Sequence, residues 1–450
     1  AISYIHSGQG PAFVHADCDR IGSHSNSDPH TLYRTQEEID DVARRDPMLQ
    51  FRYHLINRNI ITEEELQKLE NENKEIIFQA ADKAEAAPDA DGKSYPKFLL
   101  PEPIEIKPEQ SRYEEREDNR HITYLEALNT TLKEEFRLNP NTFLWGQDVA
   151  SKNKNGVFNV CKGMLNEFGN ERIFNSPIAE DNIVGTANGF CRYRDDVRVV
   201  IEGAEFADYF WPAMEQLVEC SHDYWRTKGQ FSPNILIRLA SGGNIQGGLY
   251  HSQNLEATFA TLPGIRIVTP AFADDAVGLM RTSIRSRGVT MFLEPKFLYN
   301  YKNAGTSVPP KDFMIPIGKA KVRREGKDLT IISYGTAVHW SLLAAKELEK
   351  DGFSVEVVDL RSLIPWDKET VAKSVKKTNR VLIAHEDRLT GGFGGEIAAF
   401  IVSELFQYLD APVKRVGSKE VPVGFAKSYE KETILNTEDV LREARIIINY

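Results

Sequence analysis

Six short apolar runs, at 143 to 145, 172 to 174, 197 to 201, 235 to 239, 266 to 270 and 290 to 294, constrain the fold more than any other feature of the chain. Helical segments separate most of them. Runs of this length, rich in Val and Ile, suit strands buried on both faces, and such strands need helices above and below to take their apolar surface out of water. The spacing predicts an α/β protein with a mainly parallel sheet. A second set of runs begins at 328, 354, 380 and 413, and predicts a smaller α/β domain after a break near residues 301 to 325.

Upstream the pattern differs. Residues 11 to 18 read as one apolar strand, followed by a long polar loop and then only helical pattern. One strand is not a sheet, so residues 1–85 are expected to complete a domain whose other strands lie in a missing upstream piece. Thr62 and Glu65 form a capping box, with Leu66, Leu69, Ile76, Ile77 and Ala80 following at helical spacing, and that helix is expected to end near Ala87. Pro88, Pro96, Pro101, Pro103 and Pro108 make 86–119 an extended linker. From Ile122 a second capping box, Thr123 with Glu126, opens a helix carrying Leu125, Leu128, Leu132 and Phe136. The predicted domains are thus 1–85, 120–310 and 311–450 around that linker.

Composition removes several function classes. With 450 residues, 41% hydrophobic and 27% charged, the chain can bury several cores. Lys plus Arg at 55 against Asp plus Glu at 66 gives −11, so no basic field for nucleic acid or an anionic membrane exists. Cys18, Cys161, Cys191 and Cys220 lack CxxC spacing and nearby paired histidines, which suits reduced, buried thiols better than zinc or disulfides. No run of about 18 apolar residues and no secretory pattern is present, so a soluble, cytoplasmic chain is expected. The sequon at Asn129 falls on a predicted helix and is expected to be idle.

The segment SPIAEDNIVG, from Ser176 to Gly185, sets Glu180 after a proline turn at the head of an apolar helix. A carboxylate there sits beside unpaired backbone N–H groups at the end of a strand, where α/β folds open their ligand crevice. An isolated Glu in that position is usually an ordinary helix N-terminal acid. Its company changes the reading: AEFADYFWPAMEQ at 204 to 216, SGGNIQGGLYHSQ at 241 to 253 and FLEPK at 292 to 296 follow in order. Together these resemble the β subunit of a thiamine-diphosphate-dependent 2-oxo acid dehydrogenase, the E1 component. RIGSHSNSDPHTLYRT, residues 20 to 35, resembles the end of the α subunit of the same enzyme, so the chain reads as an α-to-β fusion.

The resemblance implies a transketolase-like pyrimidine-binding domain and C-terminal domain, preceded by the tail of another such domain. It implies thiamine diphosphate as cofactor, with Glu180 hydrogen-bonded to the aminopyrimidine ring; a carboxyl kept out of water trades a proton with a ring nitrogen more readily than an exposed one. Ile178 matches a backbone and apolar contact to that ring. Glu205 and Tyr209 match its aromatic wall, although the family often carries Gln where Glu205 stands. His251 matches a histidine turned toward substrate, and imidazole suits proton transfer near neutral pH. His24 matches a loop histidine acting as the acyl group passes to a lipoyl arm, Arg20 a buttress of that loop and the cofactor, and Ser25 a serine phosphorylated in animal relatives. No metal ligand is assigned in this chain: the family's magnesium and diphosphate motif lies upstream of the RIGSHS-like loop, in the missing E1 α portion.

The motifs RIG, LYHSQ and FLEPK look closer to the branched-chain enzyme than to pyruvate dehydrogenase. The implied activity is oxidative decarboxylation of branched 2-oxo acids such as 3-methyl-2-oxobutanoate (EC 1.2.4.4) with acyl transfer to a lipoyl-bearing E2, by a homodimer of fused chains. Pyruvate is the alternative substrate. A transketolase-class enzyme would lack the RIGSHS loop, and an assembly scaffold would have no reason to carry Glu180, Tyr209 and His251 together. The glycines of HEDRLTGGFGGE, 385 to 396, match no nucleotide-loop spacing and read as tight turns at a helix start.

Overall fold

The computed structural model describes residues 1–10, 12–89, 91–113, 120–151 and 155–450. The chain forms two units, Ala1–Gly92 and Lys93–Tyr450.

In the first unit three helices dominate, Gln36–Arg44, Pro47–Asn57 and Glu63–Glu85. The Thr62–Glu65 capping box is present, with Glu65 N donating to Thr62 Oγ1 at 3.2 Å and Thr62 N to Glu65 Oε2 at 2.9 Å. Thr35 and Glu38 form another that the sequence reading passed over. The long helix ends at Glu85, two residues before the expected Ala87. The expected strand at 11 to 18 is not formed: the described residues 12–18 are irregular, and Phe13 and Val14 are exposed. Among the described residues no neighbouring strand offers hydrogen-bond partners there, and propensity without a partner does not make a strand. Pro11 lies outside the described residues. Leu66 is the one buried residue among those described in this unit.

The second unit begins with the proline-rich segment. Its described residues form short 3-10 turns, a further turn at 95–98 and irregular backbone, and they lie against the unit's own body. Trp225 Nε1 donates to the Tyr95 carbonyl at 2.8 Å, Phe98 meets Tyr224 edge-on, Arg266 donates to the Pro101 carbonyl, and Ile104 N donates to Ser286 Oγ at 3.0 Å. Residues 114–119, the rest of the expected linker, lie outside the described residues.

All six predicted runs are strands of one sheet: Thr142–Gly146, Ile173–Asn175, Arg198–Ala204, Ile235–Ser241, Ile265–Val268 and Val289–Pro295. They are parallel, in the spatial order Ile265, Val289, Ile235, Arg198, Thr142, Ile173 by first residue. A seventh strand, Ser362–Ile364, reaches in from the C-terminal region and pairs antiparallel with Ile265–Val268 at the edge. Side chains alternate along each strand. Val199, Ile201, Ile235, Ile237 and Met291 meet the helices Glu180–Cys191 and Met214–Arg226, while Val200, Leu236 and Phe292 meet Tyr124–Leu138 and Ala273–Arg285. The Thr123–Glu126 capping box starts the third of these helices, as expected. Asn129 on that helix is engaged, its Nδ2 donating to the Val160 and Lys162 carbonyls.

The second set of runs forms four strands of a five-stranded sheet in the order Lys414–Ser418, Val381–Arg388, Leu329–Ser333, Val355–Asp359, Lys321–Arg324; the last is antiparallel and falls within the expected break at 301 to 325. No helix among the described residues is long and apolar enough to cross a membrane. Cys161, Cys191 and Cys220 are buried free thiols, and burial pushes Cys191 up to about 12. Cys18, expected to be buried, is exposed, because the segment around it has no core to enter.

Candidate active site

Parallel strands deliver their loops to one edge, and the chemistry collects there. Gln147 follows Gly146, Glu180 follows the strand ending at Asn175, Glu205–Tyr209 follows Ala204, the loop 242–253 follows Ser241, and Lys296 follows Pro295.

Glu180 is the first residue of the helix Glu180–Cys191, whose N-cap, Ala179, supplies no side-chain cap. Its carboxylate is 7% exposed, and Oε1 accepts a hydrogen bond from Gln147 Nε2 at 2.7 Å. Gln147, itself 8% exposed, was not singled out from the sequence. A buried acid in the first turn gains from the helix's unpaired N–H groups. Two residues earlier Ile178 projects outward, 83% exposed.

Phe206, Tyr209 and His251 come together. The His251 ring lies 4.3 Å from Phe206 and 5.4 Å from Tyr209, edge-to-face with both. Tyr209 belongs to a 3-10 turn, Ala207–Tyr209, and is 42% exposed, so one side of this cluster faces outward. Glu205 starts the segment and is half-buried; its charge helps to raise Glu202. The turn that follows, Trp211–Ala213, packs against the helix that Glu180 begins, which ties the two parts of the edge together.

The loop between Gly242 and Gln253 has an unusual backbone. Gly242, Asn244, Gln246 and Gly248 all have positive φ, at 81°, 63°, 56° and 69°. Such alternation turns successive N–H groups to one side and makes an anion-binding nest. The anions here are carboxylates: Gly243 N donates to Glu386 Oε1 at 2.7 Å, while Ile245 N and Gln246 N donate to Glu430 Oε1 at 3.0 and 2.9 Å. Gln253 N donates to Asp208 Oδ1 at 3.0 Å, fastening the loop to the Tyr209 segment. Gly247 is needed because a Cβ there would stand 2.7 Å from the His251 carbonyl oxygen and 2.8 Å from its Cβ.

Beneath this edge lies buried charge. Arg238 forks onto Glu294 at 2.7 and 2.9 Å and reaches Glu202 at 3.1 Å, and Tyr299 donates to Glu294 at 2.6 Å. Burial pushes Glu202 up to about 7, against the pull of Arg238. Lys296 is 2% exposed, 5.3 Å from the Phe206 ring centre, and burial brings it down to about 8. The signal of Glu202, Arg238 and Glu294 in the sequence is a charge inside an apolar strand run, which must be paired to be tolerated.

The His24 loop belongs to the unit Ala1–Gly92 and is built around Asp28. His24 N donates to Asp28 Oδ2 at 2.8 Å, Tyr33 Oη donates to the same oxygen at 2.8 Å, and Arg20 pairs with it at 3.2 Å. These contacts, the His24 amide foremost, hold the Asp28 carboxyl below the usual carboxylate range. Ser25 is exposed, with Ser27 Oγ 3.1 Å away.

The residues fit one half of a thiamine site. A buried carboxylate fixed by Gln147, on the same sheet edge as an exposed Ile178 and a partly exposed aromatic cluster, can take a planar ring bearing nitrogen donors. For the other half, among the described residues no group of three or more His, Cys, Asp or Glu side chains is placed to hold a metal ion.

Known proteins match this architecture region by region. Residues 120–302 match the model of the transketolase pyrimidine-binding domain, 318–440 that of the transketolase C-terminal domain, and 1–93 that of the dehydrogenase E1 component. Fold and site thus define a transketolase-type protein with thiamine-diphosphate-binding domains. A split-gene transketolase solved as an inactive beta4 tetramer superimposes with a TM-score of 0.57 at 25% identity, covering 73% of this chain and 98% of that one. The chain is 39% identical over 331 residues to the 2-oxoisovalerate dehydrogenase subunit beta of Bacillus subtilis, 73% of this chain and 99% of that relative. It is 36% identical over 328 residues to the pyruvate dehydrogenase E1 component subunit beta-2 of Oryza sativa subsp. japonica, 72% of this chain and 86% of that one. The chain belongs to the E1 family of thiamine-dependent 2-oxo acid dehydrogenases.

Proposed function

We propose that this chain supplies the β-type half, and the loop-bearing tail of the α-type half, of an E1 that oxidatively decarboxylates branched 2-oxo acids such as 3-methyl-2-oxobutanoate and passes the acyl group to the lipoyl arm of an E2. The observation that carries the reading is Glu180, buried, fixed by Gln147 and set at the carboxyl edge of the sheet. Thiamine diphosphate, when bound, supplies a thiazolium carbon that adds to the 2-oxo group and takes up the electron pair left as CO2 departs. Glu180 holds and exchanges a proton at the ring nitrogen of the aminopyrimidine. Ile178 and Tyr209 cover that ring, with Glu205 at the margin of the wall. His251 moves a proton at the substrate's carbonyl oxygen. His24 orients the acyl transfer step, in which the lipoyl disulfide is reduced as the thioester forms, and Arg20 supports its loop through Asp28. The diphosphate and magnesium are assigned to the E1 α-type component of the complex, and the assembly to a two-fold dimer of fused chains.

Two features favour a branched substrate: the RIG, LYHSQ and FLEPK motifs, and the 39% identity to 2-oxoisovalerate dehydrogenase subunits. Pyruvate is the second reading, favoured by pyruvate dehydrogenase relatives at 33 to 36% identity. The test is decarboxylation of 3-methyl-2-oxobutanoate against pyruvate, with thiamine diphosphate, magnesium and the E1 α-type component supplied. A higher kcat/KM for the branched acid is expected. Preference for pyruvate moves the substrate, and no cofactor-dependent turnover of either removes the E1 reading for this chain.

A further inference from the structure

We propose that Glu386 and Glu430, two buried carboxylates of the C-terminal region, are positioning residues that set His251 in its working place; the inference rests on the role just given to His251. From Gly242 to Leu255 the chain has no strand or helix of its own; a Gly242 N to Gln253 carbonyl bond at 3.0 Å closes its base, and the stretch 243–246 is held from outside. That hold comes from the two acids. Glu386 is 6% exposed and takes the Gly243 amide at 2.7 Å; Glu430 is 5% exposed and takes the Ile245 and Gln246 amides at 3.0 and 2.9 Å. The interlock continues on the far side, where Gln253 N is held by Asp208 and the His251 ring rests on Phe206 and Tyr209.

The coupling is reciprocal. A buried carboxylate stripped of its donors carries its full desolvation cost, and charge-assisted bonds are about twice as strong as neutral ones. The loop therefore cannot slide without orphaning Glu430, and Glu430 cannot turn away without orphaning two amides. The positive φ at Asn244 and Gln246 accompanies the turning of the 245 and 246 amides toward Glu430. A loop carrying a group that meets substrate loses about a hundredfold in rate for a displacement of 1 Å, so a clamp of this kind acts on turnover although neither acid lies beside the imidazole.

The experiment uses the assembled enzyme with Glu430→Ala and Glu430→Gln, reading amide hydrogen exchange at 243–253 together with kcat and KM for the preferred 2-oxo acid. Glu430→Ala is expected to speed exchange at 243–246 about tenfold while the strand 235–241 stays protected, and to lower kcat about 10- to 100-fold with KM within about twofold. Glu430→Gln keeps one oxygen toward the loop but turns an NH2 toward Gln246, and is expected to fall between, about three- to tenfold down. A purely structural acid would lower thermal stability and leave kcat of the folded enzyme within twofold, which overturns the proposal, as does unchanged exchange at 243–246. Should Glu430→Ala not fold, Glu430→Gln decides on the same two readouts. In a parent enzyme that turns over no 2-oxo acid the functional reading falls, and the exchange arm alone decides whether the carboxylates hold the loop.

Discussion

Two histidine-bearing loops organise themselves in opposite ways. The His24 loop is folded by neighbours: its bonds join residues 2 to 14 positions apart, from Ser25 with Ser27 to Arg34 with the Arg20 carbonyl. The His251 loop is folded by distant acids, 143 residues away for Glu386 and 184 to 185 for Glu430. Local bonds form whenever the segment is free of competing structure, whereas long-range ones appear only once both sheets are assembled. His24 thus sits on an exposed turn held by neighbouring residues, whereas the place of His251 depends on acids from distant parts of the second unit.

The sharpest way to break the contrast is chemical. Glu180→Gln keeps the Gln147 contact possible and removes the exchangeable acid, so kcat/KM is expected to fall about 10³-fold while the melting temperature stays within about 2 °C. Next in size is acid stability of the second unit. Burial lowers His339 and His385 to about 4 from 6.5. Below 6.5 the unfolded chain takes protons that the folded one refuses, so stability is present above pH 6.5 and is lost as pH falls through 4, by up to about 3 kcal/mol per histidine. Denaturant titrations of His339→Asn and the parent at pH 7 and 4.5 check this, and an equal slope in both would refute it. His24→Asn and His251→Asn then separate the loops by step: we expect about a 10²-fold loss each, in acyl transfer for the first and already in decarboxylation for the second. Asp28→Ala is expected to raise amide exchange across residues 20 to 34 about tenfold without touching the protection of 243–246. Smallest is Thr62→Ala, about 1 kcal/mol from the helix Glu63–Glu85, read by circular dichroism.

What was legible follows the same division. Strands announced themselves because Val and Ile concentrate where both sheet faces are covered, and the boxes at Thr62 and Thr123 are complete within four residues. Residues 12 to 18 have strand composition and no strand, since Phe13 and Val14 stay exposed and no core residue among those described covers them. Glu180 and His251 were visible through their motifs. Gln147 was not, because a glutamine after a strand resembles any loop residue until its amide meets a carboxylate. Glu386 and Glu430 carry no local mark, and only folding shows that their partners are backbone amides of the glycine-rich loop. Arg238, Glu202 and Glu294 were readable in principle as charges stranded among apolar neighbours.

The short strand Ser362–Ile364 has a consequence for anyone dividing this molecule. It belongs by sequence to the C-terminal region, yet it closes the open side of the larger sheet by pairing with Ile265–Val268. A fragment ended between residues 302 and 318 would leave that row of amides and carbonyls bare beside a buried, four-residue apolar stretch, a template for chain-to-chain stacking. The two sheets are best regarded as one indivisible product of expression, and a split version would need the missing edge strand supplied as a peptide to stay in solution.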